Sequence, residues 1–113
     1  MKTIFSIFFL LLSTIVCSQD FPDGLHVVEF NASFNKTNEV AWLSKLTDCN
    51  TERVDITTDS RWASEYKIVV VPTLVVFNNN EEIKRFQANI MMTMEATKKE
   101  VQESIDEIIM EAF

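Results

Sequence analysis

An α/β domain with a four-stranded mixed sheet is what this sequence predicts, on three observations. The apolar runs at residues 25–30 and 69–77 are of strand length and rich in β-branched and aromatic residues. Other segments carry apolar residues at helical spacing, most clearly after the capping-box pattern Thr97-Lys98-Lys99-Glu100. Finally, Pro72 interrupts the second apolar run, where its missing N–H would break a sheet ladder. That position suits the mouth of a strand entered through a cis Val71-Pro72 bond.

Leu25-His26-Val27-Val28-Glu29-Phe30 reads as a central strand with one acid embedded in it. From Lys36 or Asn38 onward, Val40, Ala41, Leu43 and Leu46 fall at helical spacing with Trp42 on a flank, which predicts a helix of about ten residues. Residues 52–56 form a second short strand. Asp59 or Ser60 caps a helix through Tyr66, whose apolar face is Trp62, Ala63 and Tyr66. Pro72 opens a third strand through Phe77. Asn78-Asn79-Asn80 tolerates the left-handed conformation of a hairpin turn, and residues 82–86 make the fourth strand. Val101, Ile105, Ile108, Ile109 and Ala112 give the last helix its apolar stripe. The order is β-α-β-α-β-β-α, with helices on both faces of the sheet.

The first 18 residues read as a secretory signal peptide, with residues 19–113 as the single domain. Lys2 supplies the positive start, and residues 4–16 form an apolar stretch short for a bilayer span. Val16-Cys17-Ser18 fits a cleavage site before Gln19. The alternative is an uncleaved anchor; a lipoprotein signal at Cys17 is disfavoured by the bulk of Val16. The expectation is a secreted or periplasmic protein with no membrane attachment after cleavage.

Cleavage removes Lys2 and leaves 9 basic against 17 acidic side chains, a formal charge of −8 (9 minus 17). That charge excludes nucleic acid as the expected partner, because phosphate binding needs a basic footprint. Cys49 becomes the sole thiol, so no disulfide can form within the domain. One His and no cysteine cluster give no metal site, and no cofactor is implied.

Several segments, taken in order, resemble the thioredoxin family. Val28-Glu29-Phe30-Asn31-Ala32-Ser33-Phe34 is similar to the strand leading into that family's active site. Arg53-Val54-Asp55-Ile56, Ala63-Ser64-Glu65-Tyr66-Lys67-Ile68 and Val71-Pro72-Thr73 resemble its later strand, second helix and cis-proline loop, and Glu81-Glu82-Ile83-Lys84-Arg85-Phe86 its closing strand. The resemblance covers residues 27–86, with a weaker match in the last helix. It implies a minimal thioredoxin-like fold without the extra leading strand and helix.

By the same resemblance, the family's two active cysteines fall at Asn35 and Asn38. An amide can neither attack a disulfide nor resolve one, so dithiol chemistry is absent and no catalytic residue is expected. Gln87 and Asn80 stand where the family has glycines. Glu29 matches the family's buried acid; with no thiol to serve it becomes a structural carboxyl whose pKa burial raises. Binding of an extended polypeptide, or of another exported protein, is expected to survive at a groove of Phe34, Val71, Pro72 and Thr73. The protein then acts as a non-catalytic, chaperone-like module.

Two alternatives are a monothiol redox protein working through Cys49 and a structural subunit of an exported assembly with exposed apolar surface near Trp42 or Trp62. Cys49 sits at the far end of the sheet from the groove, beside Asp48, a setting that disfavours a thiolate. Asn31-Ala32-Ser33 and Asn35-Lys36-Thr37 are N-x-[ST] sequons, and a glycan at Asn35 would stand over the groove. The methionines of Met91-Met92-Thr93-Met94 are assigned to packing ahead of binding.

Overall fold

The structure, a computed structural model, describes residue 21 and residues 23–112, so the leader assigned to residues 1–18 lies outside the described residues. Four strands, β1 (Leu25–Asn31), β2 (Asn50–Asp55), β3 (Thr73–Asn78) and β4 (Glu81–Gln87), form one sheet in the order β2-β1-β3-β4. β1 and β2 are parallel, and the other neighbours are antiparallel. Two α-helices complete the fold, α1 (Arg61–Tyr66) and α2 (Lys98–Glu111).

Side chains alternate across the two central strands because successive Cβ atoms point to opposite faces. Val28 and Phe30 of β1 join Val75 and Phe77 of β3 on one face, under α1. Val27, Leu74 and Val76 point the other way and pack with Val101 and Ile105 of α2. The two helices therefore cover opposite faces, as the apolar patterns predict. On the α1 face the core is largely aromatic. Phe21 stacks on Phe77 with ring centroids 5.1 Å apart, and Tyr66 lies 5.3 Å from Phe30.

Local signals place the ends of the elements. Asp59 Oδ1 accepts from the Arg61 amide at 2.9 Å at the start of α1. At α2 the capping box is complete: the Glu100 amide donates to Thr97 Oγ1 at 3.2 Å, and the Thr97 amide donates to Glu100 Oε1 at 2.9 Å. Asn79 and Asn80 take positive φ values of 52° and 70°, the left-handed pair that a two-residue hairpin between β3 and β4 needs. The Val71-Pro72 bond is cis.

One expected element is different. The ten-residue helix after β1 is replaced by two short 3₁₀ turns, Ser33–Asn38 and Leu43–Lys45, separated by extended backbone at Glu39 (ψ 152°). Asparagine side chains compete with a helix for backbone partners. In addition, both backbone groups of Val40 have side-chain partners from distant residues, and its carbonyl also accepts from the Leu43 amide at 3.3 Å. Its N–H donates to Glu29 Oε2 at 2.8 Å, and its carbonyl accepts from Arg53 Nη2 at 2.9 Å. The apolar residues assigned to that helix still do their packing work, since Val40, Leu43 and Leu46 are buried against the α2 face.

Phe30 is fully buried between the sheet and α1. Phe30→Ala is expected to cost about 3–5 kcal/mol, whereas Phe34→Ala, at an exposed position, should stay within about 0.5 kcal/mol. Urea unfolding of the two variants checks this contrast.

Candidate functional site

The parallel and antiparallel pairings bring the ends of β1, β2 and β4 and the start of β3 to one end of the sheet. Asn31 stands beside Asp55, and Thr73 beside Phe30 and Gln87. The first 3₁₀ turn, the cis-proline loop and the segment after β4 meet there.

Asn35, only 3% exposed, joins the three segments. Its Nδ2 donates to Asn31 Oδ1 at 3.1 Å, to the Met92 carbonyl at 3.1 Å and, more weakly, to the Val71 carbonyl at 3.4 Å. Its Oδ1 accepts from Asn38 Nδ2 at 2.8 Å, and its carbonyl accepts from Asn31 Nδ2 at 3.2 Å. The amide nitrogens of both sequon asparagines are thus committed within the fold, and Asn35 points inward with no room for a glycan.

Below the turn lies Glu29, 1% exposed. Arg53 Nη1 meets its Oε1 at 2.5 Å, and the Val40 amide holds the other oxygen. Burial raises the Glu29 pKa; the Val40 hydrogen bond and Arg53 oppose the shift, and nearby Glu39 adds to it. A cavity of about 200 Å³ opens beside this pair, bounded by Lys36, Glu39, Ser33 and Asp55. Its charged groups are engaged with one another: Lys36 and Arg53 both face Glu39, and Ser33 Oγ donates to Asp55 at 2.5 Å. Hydrogen bonds to Asp55 from Ser33, the largest, and from Thr57 hold its pKa low.

The expected groove residues part company. Phe34 is 73% exposed, whereas Val71, Pro72 and Thr73 are buried, with Thr73 Oγ1 donating to the Val70 carbonyl at 2.7 Å. They do not form the open surface that the sequence suggests, because the asparagine cluster and the segment after β4 close over the cis-proline loop. Five of the exposed large apolar side chains, Phe34, Val69, Ile90, Met91 and Met92, are on the segments around it; among the described residues Ile83 on β4 and Met110 on α2 are exposed elsewhere. Of the methionines, only Met94 packs against the α2-side core. Sequence reasoning missed Val69 and Ile90. The available signal was Ile90 standing beside two methionines and outside any periodic pattern.

Asn89 organises that last segment. Its Oδ1 accepts from the amides of Met91 and Thr93 at 2.9 and 3.1 Å, and its Nδ2 donates to Glu95 at 2.9 Å. The result is a hydrogen-bonded turn that projects Ile90, 94% exposed, into solvent.

No protein-family model matches the sequence, and no curated protein matches it. Solved structures do. A thioredoxin from Schistosoma mansoni is 23% identical, with 85% of each chain covered and a TM-score of 0.58. A Nicotiana alata thioredoxin is 23% identical over 86% of this chain and 84% of that one, with a TM-score of 0.57. A mutant thioredoxin from Halobacterium salinarum is 21% identical over 75% and 74%, with a TM-score of 0.58. The chain has a thioredoxin-like fold. On that fold, the sequence carries asparagines at the two positions that resemblance assigns to the dithiol, and its only cysteines are Cys17 and Cys49.

Cys49 immediately precedes β2, at the end of the sheet away from Asn35, and packs against the α2-side core. Burial, then Asp48 and Glu52, push its thiol up to about 11. Among the described residues no group of three or more His, Cys, Asp or Glu side chains could hold a metal ion. Trp42 and Trp62 are partly buried, Trp62 against the α1-side core and Trp42 against the α2-side core.

A thiol at about 11 carries roughly a hundredth of the thiolate of an ordinary cysteine near neutral pH. Cys49 should therefore react with a disulfide reagent at least about tenfold more slowly than a free peptide thiol, as a timed absorbance assay will show.

The folded state holds the Glu29 proton more tightly than the unfolded chain does, so ionisation costs stability as pH rises from about 4.5 through the raised value. Unfolding free energies of wild type and Glu29→Gln, measured from about pH 4 to about pH 8, should show wild type losing ground to the variant as pH rises. A constant difference would contradict this assignment.

Proposed function

We propose that this chain is an exported, non-catalytic polypeptide-binding module on a thioredoxin-like fold, chaperone-like in taking a segment of another exported protein. One observation carries the reading: Phe34, Val69, Ile90, Met91 and Met92 are exposed on three segments that converge on Asn35. Clustered exposed apolar side chains on a small acidic domain mark an interaction site, since water contact with them is unfavourable. By the resemblance, Asn35 and Asn38 occupy the dithiol positions, so the same pole has no dithiol. Export is supported by the charge and apolar pattern of residues 1–18. The remote, protonated thiol of Cys49 does not support a monothiol enzyme.

Reduction of insulin by dithiothreitol should run no faster with the mature protein than without it, and Cys49→Ser should make no difference. Reduced, carboxymethylated insulin B chain should bind to wild type and to Cys49→Ser alike. Phe34→Asp should weaken binding at least about tenfold, or about 1.4 kcal/mol, at unchanged melting temperature. Titration calorimetry with these three proteins tests the reading. Loss of binding in Cys49→Ser with retention in Phe34→Asp would overturn it.

A further inference from the structure

The backbone carbonyls at this pole are engaged, two of them by one side chain. The Val71 carbonyl faces the Asn35 amide, and the Pro72 carbonyl accepts from the Ala88 amide at 3.1 Å. Pro72 has no N–H to offer. The Val70 carbonyl is held by Thr73 Oγ1, and the Met92 carbonyl by Asn35. On the other side, the Asn35 amide N–H donates to the Ala32 carbonyl at 2.9 Å, while its own carbonyl accepts from Asn31. An added strand gains affinity from unpaired main-chain groups, and the carbonyls it would use at this loop are already taken by the fold.

The apolar side chains are in the opposite condition. Phe34 precedes Asn35 directly, and Met92 is tethered to it through its carbonyl. Met92 has φ 61°, a left-handed conformation unusual for a residue with a side chain. The Asn35 hydrogen bond and the Met92 amide, which donates to the Asn89 carbonyl at 2.9 Å, hold it there. The turn is therefore ordered before any ligand arrives, which lowers the ordering cost of binding.

We propose that Asn35 is the positioning residue of this surface: it fixes Met91 and Met92 beside Phe34 and seals the cis-proline loop, so that the surface recognises apolar side chains and does not accept an added strand. The proposal rests on the polypeptide-binding reading above and specifies its mode. In place of a dithiol, the pole has a polar clasp that organises an apolar rim.

Two measurements test it. The first compares a Leu- and Phe-containing peptide of about ten residues with the same peptide N-methylated at alternate backbone positions, a change that removes the donors needed for strand addition while sparing the side chains. Affinities within about threefold of each other are expected, and loss of binding on N-methylation overturns the proposed mode. The second uses protein labelled at its methionine methyl groups. Asn35→Ala should shift the Met91 and Met92 methyl resonances, leave that of Met110 on α2 in place, and weaken peptide binding at least about tenfold.

Unchanged Met91 and Met92 resonances in a folded Asn35→Ala protein would overturn the positioning role. Should that variant not fold, Asn38→Ala removes only the bond to Asn35 Oδ1 and must shift the same two methyls by a smaller amount; no shift there also overturns the role. If no peptide binds wild type, the polypeptide-binding reading fails, while the methyl resonances still decide whether Asn35 positions the turn.

Discussion

Burying the carboxyl of Glu29 in the middle of a central strand is the constraint to which the surrounding structure answers. A carboxylate taken out of water needs partners for its oxygens, and the chain provides them from two directions. Arg53 comes from the neighbouring parallel strand at the register position opposite Glu29. The Val40 amide comes from the connection above. Arg53 then reaches past the carboxyl to the Val40 carbonyl, so one acid and one base together hold both backbone groups of a residue eleven positions along the chain from Glu29. Within the connection the Val40 carbonyl also accepts from the Leu43 amide at 3.3 Å, an i+3 bond of the 3₁₀ kind in place of the i+4 bond of an α-helix. The connection is built from 3₁₀ turns, and its apolar residues reach the core without α-helical backbone.

The same economy governs the pole where thioredoxins carry their chemistry. Amides hydrogen-bond as donors and acceptors at once, so Asn31, Asn35 and Asn38 can link one another and three separate backbone segments without a charge to neutralise. Among the described residues no buried side-chain nitrogen or oxygen lacks a partner. Closure of the polar interior leaves the apolar side chains at the margin as the groups with unmet contacts.

α2 shows packing overriding electrostatics. Lys98 and Lys99 stand in its first turn and Glu107 and Glu111 near its end, a distribution that opposes the helix dipole. The capping box satisfies the first turn locally, and burial of Val101 and Ile105 against Leu74 and Val76 holds the helix to the sheet. Each such side chain contributes about 1.5–3 kcal/mol when fully buried, more than the few tenths to about 1 kcal/mol at stake in exposed terminal charges.

What the sequence by itself determined are features set by neighbours along the chain. The apolar runs of β1 and β3, the capping box of α2, the left-handed asparagines of the hairpin and the strand-opening cis-proline depend on a few consecutive residues, so their signals survive without a fold to look at. The strand boundaries moved by only one or two residues. The tertiary structure alone decided the rest, because it turns on partners far apart in sequence. Val40 takes Glu29 and Arg53 as partners; Val71, Pro72 and Thr73 are shut in by Asn35 and by a turn some twenty residues later; and Ile90, silent in any periodicity, is the most exposed large apolar side chain among the described residues. Helical spacing reports which residues seek the core, but which backbone groups remain to form a helix is fixed only when the distant hydrogen-bond partners arrive.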